Sequence, residues 1–295
     1  MVIKYKILLC LLTHHRIDKL TRLVKSVEGI VSDDSIIIEP VIVVNTLNDE
    51  YYQEVLDAKF PFKVIRTESN GKPGKGKNSC RKLFLDSDSD FVTQIDGDDW
   101  LYPTFARSMA QHILHYPNLD VVGLHPLDIV DFNQRGGHHF EVGEYWGCVW
   151  GVSLCKRALH GPGEAHWVNE PHPANYDRVL LQSKLSAKEM MDEDIPNGED
   201  HLYSVQLLAL HQQRKIRYFI SMCSDLYISD GTMKDNIQSE YPFGPHVQTM
   251  KDSMLTYVSA ERSSQEELPV IFNPLLLTQE QKAVYIKDSY YWDKI

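Results

Sequence analysis

Apolar residues along this chain come in short unbroken runs that alternate with stretches spaced like one face of a helix. Ile7-Leu8-Leu9-Cys10-Leu11-Leu12 is continuous, as a strand buried on both faces should be, and it stops at Thr13-His14-His15-Arg16. Ile17, Leu20, Leu23, Val24 and Val27 then recur at helical spacing, with Asp18 in the first turn and Gly29 just past the last. The alternation repeats. Ile36 to Val44 predicts a second strand, Asp49 to Ala58 a helix, and Phe62 to Arg66 a third strand. A Gly/Lys-rich loop, Gly71 to Lys77, leads into a helix around Asn78 to Leu85, and Phe91-Val92-Thr93-Gln94-Ile95 predicts a fourth strand. Pro103 opens a helix to about Tyr116, and Leu119 to Leu124 is a further strand.

Strands alternating with helices imply an α/β fold with a doubly wound, mostly parallel, Rossmann-like sheet. In such sheets the ligand lies at the carboxyl ends of the strands. Thr13 to Arg16, Asn45-Thr46, Thr67 to Lys77 and Asp96 to Asp99 all follow strands, so four polar loops converge on one edge. From about His125 the pattern gives way to a long segment rich in Gly, His, Pro and aromatics, with helices resuming near Tyr176 and Asp200.

Composition narrows the picture. An apolar fraction of 43% over 295 residues suits a globular chain with a substantial core. Thirty Lys plus Arg against 41 Asp plus Glu give a net charge of −11, which disfavours a surface that tracks nucleic acid throughout. The five cysteines form no C-x-x-C pair, which argues against a disulfide framework or structural zinc and suits a reducing cytoplasm. The first apolar run is too short for a signal peptide, and no run reaches the length of a membrane span.

The chemistry concentrates where the fourth strand ends, in Asp96-Gly97-Asp98-Asp99. Three carboxylates around one glycine repel one another unless a cation sits among them, and hard oxygen ligands suit Mg²⁺ or Mn²⁺ carrying a phosphorylated substrate. The bland alternative is an acidic turn that ends a strand. Gly71 to Lys77 offers N–H and ammonium groups to an anion but lacks the P-loop spacing, so nucleoside triphosphatase chemistry of that kind loses support. Asp86-Ser87-Asp88-Ser89-Asp90 lacks the glycine and the final glutamate of a calcium loop and reads as a polar turn.

In order and spacing these elements resemble the family 2-like glycosyltransferases of the GT-A fold. The resemblance spans about residues 5 to 230. It rests on Thr13-His14-His15-Arg16, on Gly74-Lys75-Gly76-Lys77-Asn78, on Asp96-Gly97-Asp98-Asp99 as a D-x-D motif and on Gly198-Glu199-Asp200-His201-Leu202 as a Glu-Asp motif. One departure is that Asn45-Thr46-Leu47-Asn48 stands where the family commonly has Asp-Asp-Gly-Ser. The resemblance implies a nucleotide-sugar-binding half at 1–124, an acceptor-binding and catalytic half of the same domain at 125–230, and a C-terminal extension at 231–295.

What the resemblance implies for chemistry is a metal-dependent, inverting transfer of a sugar from a nucleoside diphosphate, uridine-based, to a hydroxyl acceptor. Asp98 is then the main metal ligand with Asp96, and His246 is a third ligand for which Asp230 competes. Thr13, His14, Arg16, Asn45, Lys75, Lys77, Asn78, Asp96 and Gly97 meet the nucleotide sugar, and Asp99, Trp146 and Trp150 meet the sugar or acceptor. Asp200, beside Glu199, is the general base, although carboxylates at a helix start also serve as caps, and tryptophans are as often core as contact. The expected acceptor is a glycan or lipid-linked saccharide. Rival readings are a modified base in DNA as acceptor, a nucleotidyltransferase, and a non-catalytic sugar-nucleotide binder.

Overall fold

The computed structural model describes residues 4–115, 119–124, 126–128, 179–195, 213–221, 227–229 and 270–271, and positions 199, 203, 206, 207 and 210 of a helical stretch. In chain order the elements are β1 (Tyr5–Thr13), α1 (Ile17–Glu28), β2 (Ile36–Val44), α2 (Asp49–Asp57), β3 (Lys63–Arg66) and α3 (Pro73–Leu85). There follow β4 (Phe91–Asp96), β5 (Trp100–Leu101), α4 (Phe105–His115), β6 (Val121–Leu124), β7 (Pro126–Asp128) and β8 (Val179–Ser183). A 3₁₀ turn at Ser186–Lys188 precedes β9 (Tyr218–Ser221), β10 (Tyr227–Ser229) and β11 (Val270–Ile271).

An eight-stranded sheet runs in the order β11-β9-β6-β8-β4-β1-β2-β3. Its neighbours are parallel except at β8, which lies antiparallel between β4 and β6. A smaller sheet, β5-β10-β7, stands apart. The apolar run of β1 divides between two faces. Ile7, Leu9 and Leu11 join Leu20, Leu23 and Val24 of α1 and Phe105 and Met109 of α4, while Cys10 and Leu12 join Val41, Val43, Val92 and Cys80 and Phe84 of α3. Helices on both faces are what the unbroken runs demand. Pro40 inside β2 is tolerated because β3 pairs only from Val41 onward, so β2 has no partner on that side at the proline.

Two elements differ from their expected form. The Gly/Lys run is not a loop throughout: α3 begins at Pro73, five residues before the expected start, with the proline in the first turn where no N–H partner is needed. Where a helix was expected from near Tyr176, residues 179–183 form β8; a run as short as Val179-Leu180-Leu181-Gln182-Ser183 suits either state, and a place in the sheet decides it. Among the described residues no helix is long and apolar enough to cross a membrane.

Candidate active site

The strand register brings the expected loops together. Thr13 is opposite Val44 and Leu12 opposite Asp96, and the Asn45 N–H donates to Thr13 O at 2.8 Å. The Thr67 N–H donates to Val44 O at 3.0 Å, which completes a row of strand ends along one edge. At that edge a cavity of about 390 Å³ opens over β2 and β3, lined by Thr46, Leu47, Arg66, Thr67, Glu68 and Ser69.

Glycines seat these ends against one another. A Cβ on Gly97 would lie 3.1 Å from Leu12 O and from Thr13 Oγ1, so a side chain at position 97 would crowd the end of β1 that the acidic turn crosses. A Cβ on Gly76 would lie 2.8 Å from the Asn45 side chain. Asn45 is buried and committed locally, its Nδ2 donating to Lys72 O at 3.1 Å and its Oδ1 accepting from Thr67 Oγ1 at 3.3 Å.

Thr13 is also buried, and its hydroxyl lies 2.5 Å from the Tyr51 hydroxyl of α2. Burial pushes Tyr51 up to about 12, against the pull of that hydrogen bond. His14 follows in the turn, its ring 3.8 Å from that of His15, and desolvation together with the neighbouring imidazole brings it down to about 4. Arg16 adopts a left-handed φ of 72° at the start of α1, and its guanidinium meets the Asp18 carboxylate through two contacts of 3.1 Å. That pairing holds Asp18 below its ordinary range.

The lysine-rich first turns of α3 dock onto an acidic segment, Asp192-Glu193-Asp194, that sequence reasoning passed over. Lys75 pairs with Glu193 at 3.0 Å, Lys72 Nζ donates to Asp194 O at 2.7 Å, and a Cβ on Gly74 would lie 2.6 Å from Asp192 O. Asn78 holds Met191 as a strand would, accepting its N–H at 2.8 Å and donating to its carbonyl at 2.9 Å. Its Nδ2 also reaches Glu193 at 3.0 Å, and this contact, with help from Lys75, keeps Glu193 below its ordinary range. Lys77 is different in kind: both it and Glu199 are 4% exposed, and they meet at 2.7 Å. One turn on, Arg81 stacks 4.1 Å over Tyr203 and donates to Gln182 at 3.3 Å. The pairs 77/199 and 81/203 share a spacing of four, so two cations of α3 grip one face of the helical stretch that holds Glu199 and Tyr203.

In the acidic turn, Asp99 is buried while Asp96 and Asp98 are half-buried, and the Asp99 N–H closes onto Asp96 O at 3.0 Å. Arg22 of α1, which sequence reasoning also passed over, donates to Asp98 O at 2.6 Å. Asp96 and Asp98 are half-buried carboxylates on this turn, and among the described residues no group of three His, Cys, Asp or Glu gathers to hold a metal ion. That donor set fits Mg²⁺ or Mn²⁺, which are held by one or two carboxylates and completed by substrate phosphates. Asp200, Trp146, Trp150, His246 and Asp230 lie outside the described residues.

A sheet with one reversed strand beside a parallel set, and an acidic turn at its carboxyl edge, places the molecule among the GT-A glycosyltransferases. The model of Glycosyl transferase family 2 matches residues 9–181, more than half of the chain, and the protein belongs to that family. No curated protein matches it by sequence. Among solved structures, residues 1–349 of TarS from S. aureus in complex with UDP-GlcNAc align at 17% identity and a TM-score of 0.58, over 90% of this chain and 68% of that one. The same TarS fragment in complex with UDP gives 0.52 at 17% identity, over 97% and 79%. Mannosyltransferase PcManGT from Pyrobaculum calidifontis, in complex with GDP-Man and Mn²⁺, gives 0.49 at 8% identity, over 97% and 80%. The two TarS likenesses speak to the fold.

Proposed function

We propose that the chain transfers a sugar, with inversion, from a uridine-based nucleoside diphosphate to a hydroxyl of a glycan or lipid-linked saccharide. The observation that carries this reading is the bridge made by α3, which ties Glu199, the neighbour in sequence of Asp200, to the edge where the Asp96–Asp99 turn lies. The TarS neighbour with UDP-GlcNAc agrees with a uridine donor. The cavity over β2 and β3 takes the base, and the strand ends at Thr13 and Asp96 take the ribose and diphosphate. Asp98 and Asp96, with His246, hold the cation. When bound, Mn²⁺ or Mg²⁺ offsets the charge that develops on the departing diphosphate. Asp99 orients the donor sugar, Trp146 and Trp150 offer flat faces to the sugars, and Asp200 removes the proton of the acceptor hydroxyl as it attacks.

A thermal-shift panel of sugar nucleotides, with and without Mn²⁺, tests the reading: a uridine diphosphate sugar with Mn²⁺ raises the melting temperature by mass action. Failure of every sugar nucleotide in both conditions removes the support. Asp200→Asn keeps that shift and loses turnover; pyrophosphate as the released product indicates nucleotidyl transfer instead.

A further inference from the structure

We infer that Arg22 is the positioning residue of the acidic turn, holding the backbone from which Asp96, Asp98 and Asp99 spring. The inference rests on the metal-dependent reading above. Arg22 sits on α1 and is 5% exposed, far from the usual setting of a guanidinium. Its Nη2 donates to Asp98 O at 2.6 Å, and its plane lies 3.9 Å from the centroid of the Trp100 ring. Four residues on, and so on the same helix face, Ser26 Oγ accepts the Leu101 N–H at 3.0 Å while donating to Leu23 O at 2.6 Å. One face of α1 therefore grips residues 98 to 101 at successive points. From the opposite side, Gly97 abuts Leu12 O and Thr13, so the turn is held between β1 and α1.

The chemistry explains why arginine stands here. A turn carrying three carboxylates tends to spring apart, and a carbonyl that loses its donor adds to that tendency. Arginine supplies a permanent positive charge, a fixed fork of donors and a flat face for Trp100 in one side chain, which lysine cannot match. Partners that orient metal ligands from behind are worth about 10–100-fold in metal affinity.

The test titrates Mn²⁺ into the full chain with UDP present and follows free Mn²⁺ by electron paramagnetic resonance, a readout independent of turnover. Arg22→Met is expected to raise the Mn²⁺ midpoint about tenfold or more, Arg22→Lys to recover part of that loss, and Ser26→Ala to raise the midpoint about threefold. A midpoint unchanged or lower in Arg22→Met, with wild-type near-ultraviolet circular dichroism, overturns the inference. If Arg22→Met does not fold, unchanged midpoints in both Arg22→Lys and Ser26→Ala overturn it equally. Absence of Mn²⁺ uptake by the wild-type chain is a separate result that removes the metal reading itself.

Discussion

Replacing Lys77 with Met removes the ammonium that meets the Glu199 carboxylate at 2.7 Å, at a place where both side chains are 4% exposed. Removing one member of a buried pair costs about 3–5 kcal/mol, because the survivor keeps its desolvation penalty and loses its counter-charge. Protonation limits that cost. An ordinary glutamate takes up a proton near pH 4.3, so neutralising Glu199 at pH 7 costs about 4 kcal/mol at 1.36 kcal/mol per pH unit. The sign follows from linkage: the folded variant then binds a proton that its unfolded chain does not hold, so its deficit grows with pH from about 4.3 upward. Guanidinium denaturation should therefore show Lys77→Met about 4 kcal/mol less stable than wild type at pH 7 and about 1 kcal/mol less at pH 5. Pairing Lys77→Met with Glu199→Leu should return much of the loss, since apolar groups of similar volume replace buried pairs at little net cost. A deficit under about 1 kcal/mol at pH 7, or one that is the same at both pH values, refutes the reasoning.

Gly74→Ala drives a Cβ to within 2.6 Å of the Asp192 carbonyl and should cost about 1–3 kcal/mol in thermal or chemical unfolding, whereas Gly29→Ala, with φ of −80° and its nearest contact at 3.4 Å, should be neutral or slightly stabilising. Equal effects at the two positions would count against the close seating of α3. Tyr51→Phe removes the hydroxyl 2.5 Å from Thr13 and should cost about 1 kcal/mol by denaturant titration; an unaltered midpoint means the contact contributes nothing. His14, depressed to about 4, binds its proton more weakly in the folded chain, so stability is full above pH 6.5 and falls as pH drops toward 4. Part of the His14 side chain still meets solvent, so screening reduces the effect to about 1 kcal/mol, and His14→Gln should flatten that part of the pH profile; parallel profiles for the two proteins contradict it.

The sheet core was legible because strands covered on both faces are mostly apolar: Ile7 to Leu12 is unbroken, and Phe91 to Ile95 is interrupted only by the buried Thr93 and Gln94. The edge where the loops meet followed from strand order alone, and Asp96 to Asp99 stood out because three adjacent carboxylates are costly without a purpose. What stayed hidden depends on distant partners. Nothing near Lys77 announces Glu199, 122 residues away, and Arg22 reads as a surface residue until Asp98 and Trp100 fold over it. The glycines of α3 suggested an open cradle, yet their want of a side chain serves close approach to Asn45 and Asp192. Asn45 itself, in place of an acidic residue, spends its amide on Lys72 and Thr67.

The reversed strand β8 bears on how the molecule is assembled. β4, which ends in Asp96, has β1 along one side and β8 along the other, yet β8 is synthesised more than eighty residues later. A nascent chain leaving the ribosome thus carries β4 with a bare hydrogen-bonding margin until Val179–Ser183 emerges and inserts, and such margins invite pairing with other chains. Truncation before residue 179 should accordingly yield an aggregating fragment, and the number of residues between Asp96 and Val179 sets how long that margin stays open during synthesis.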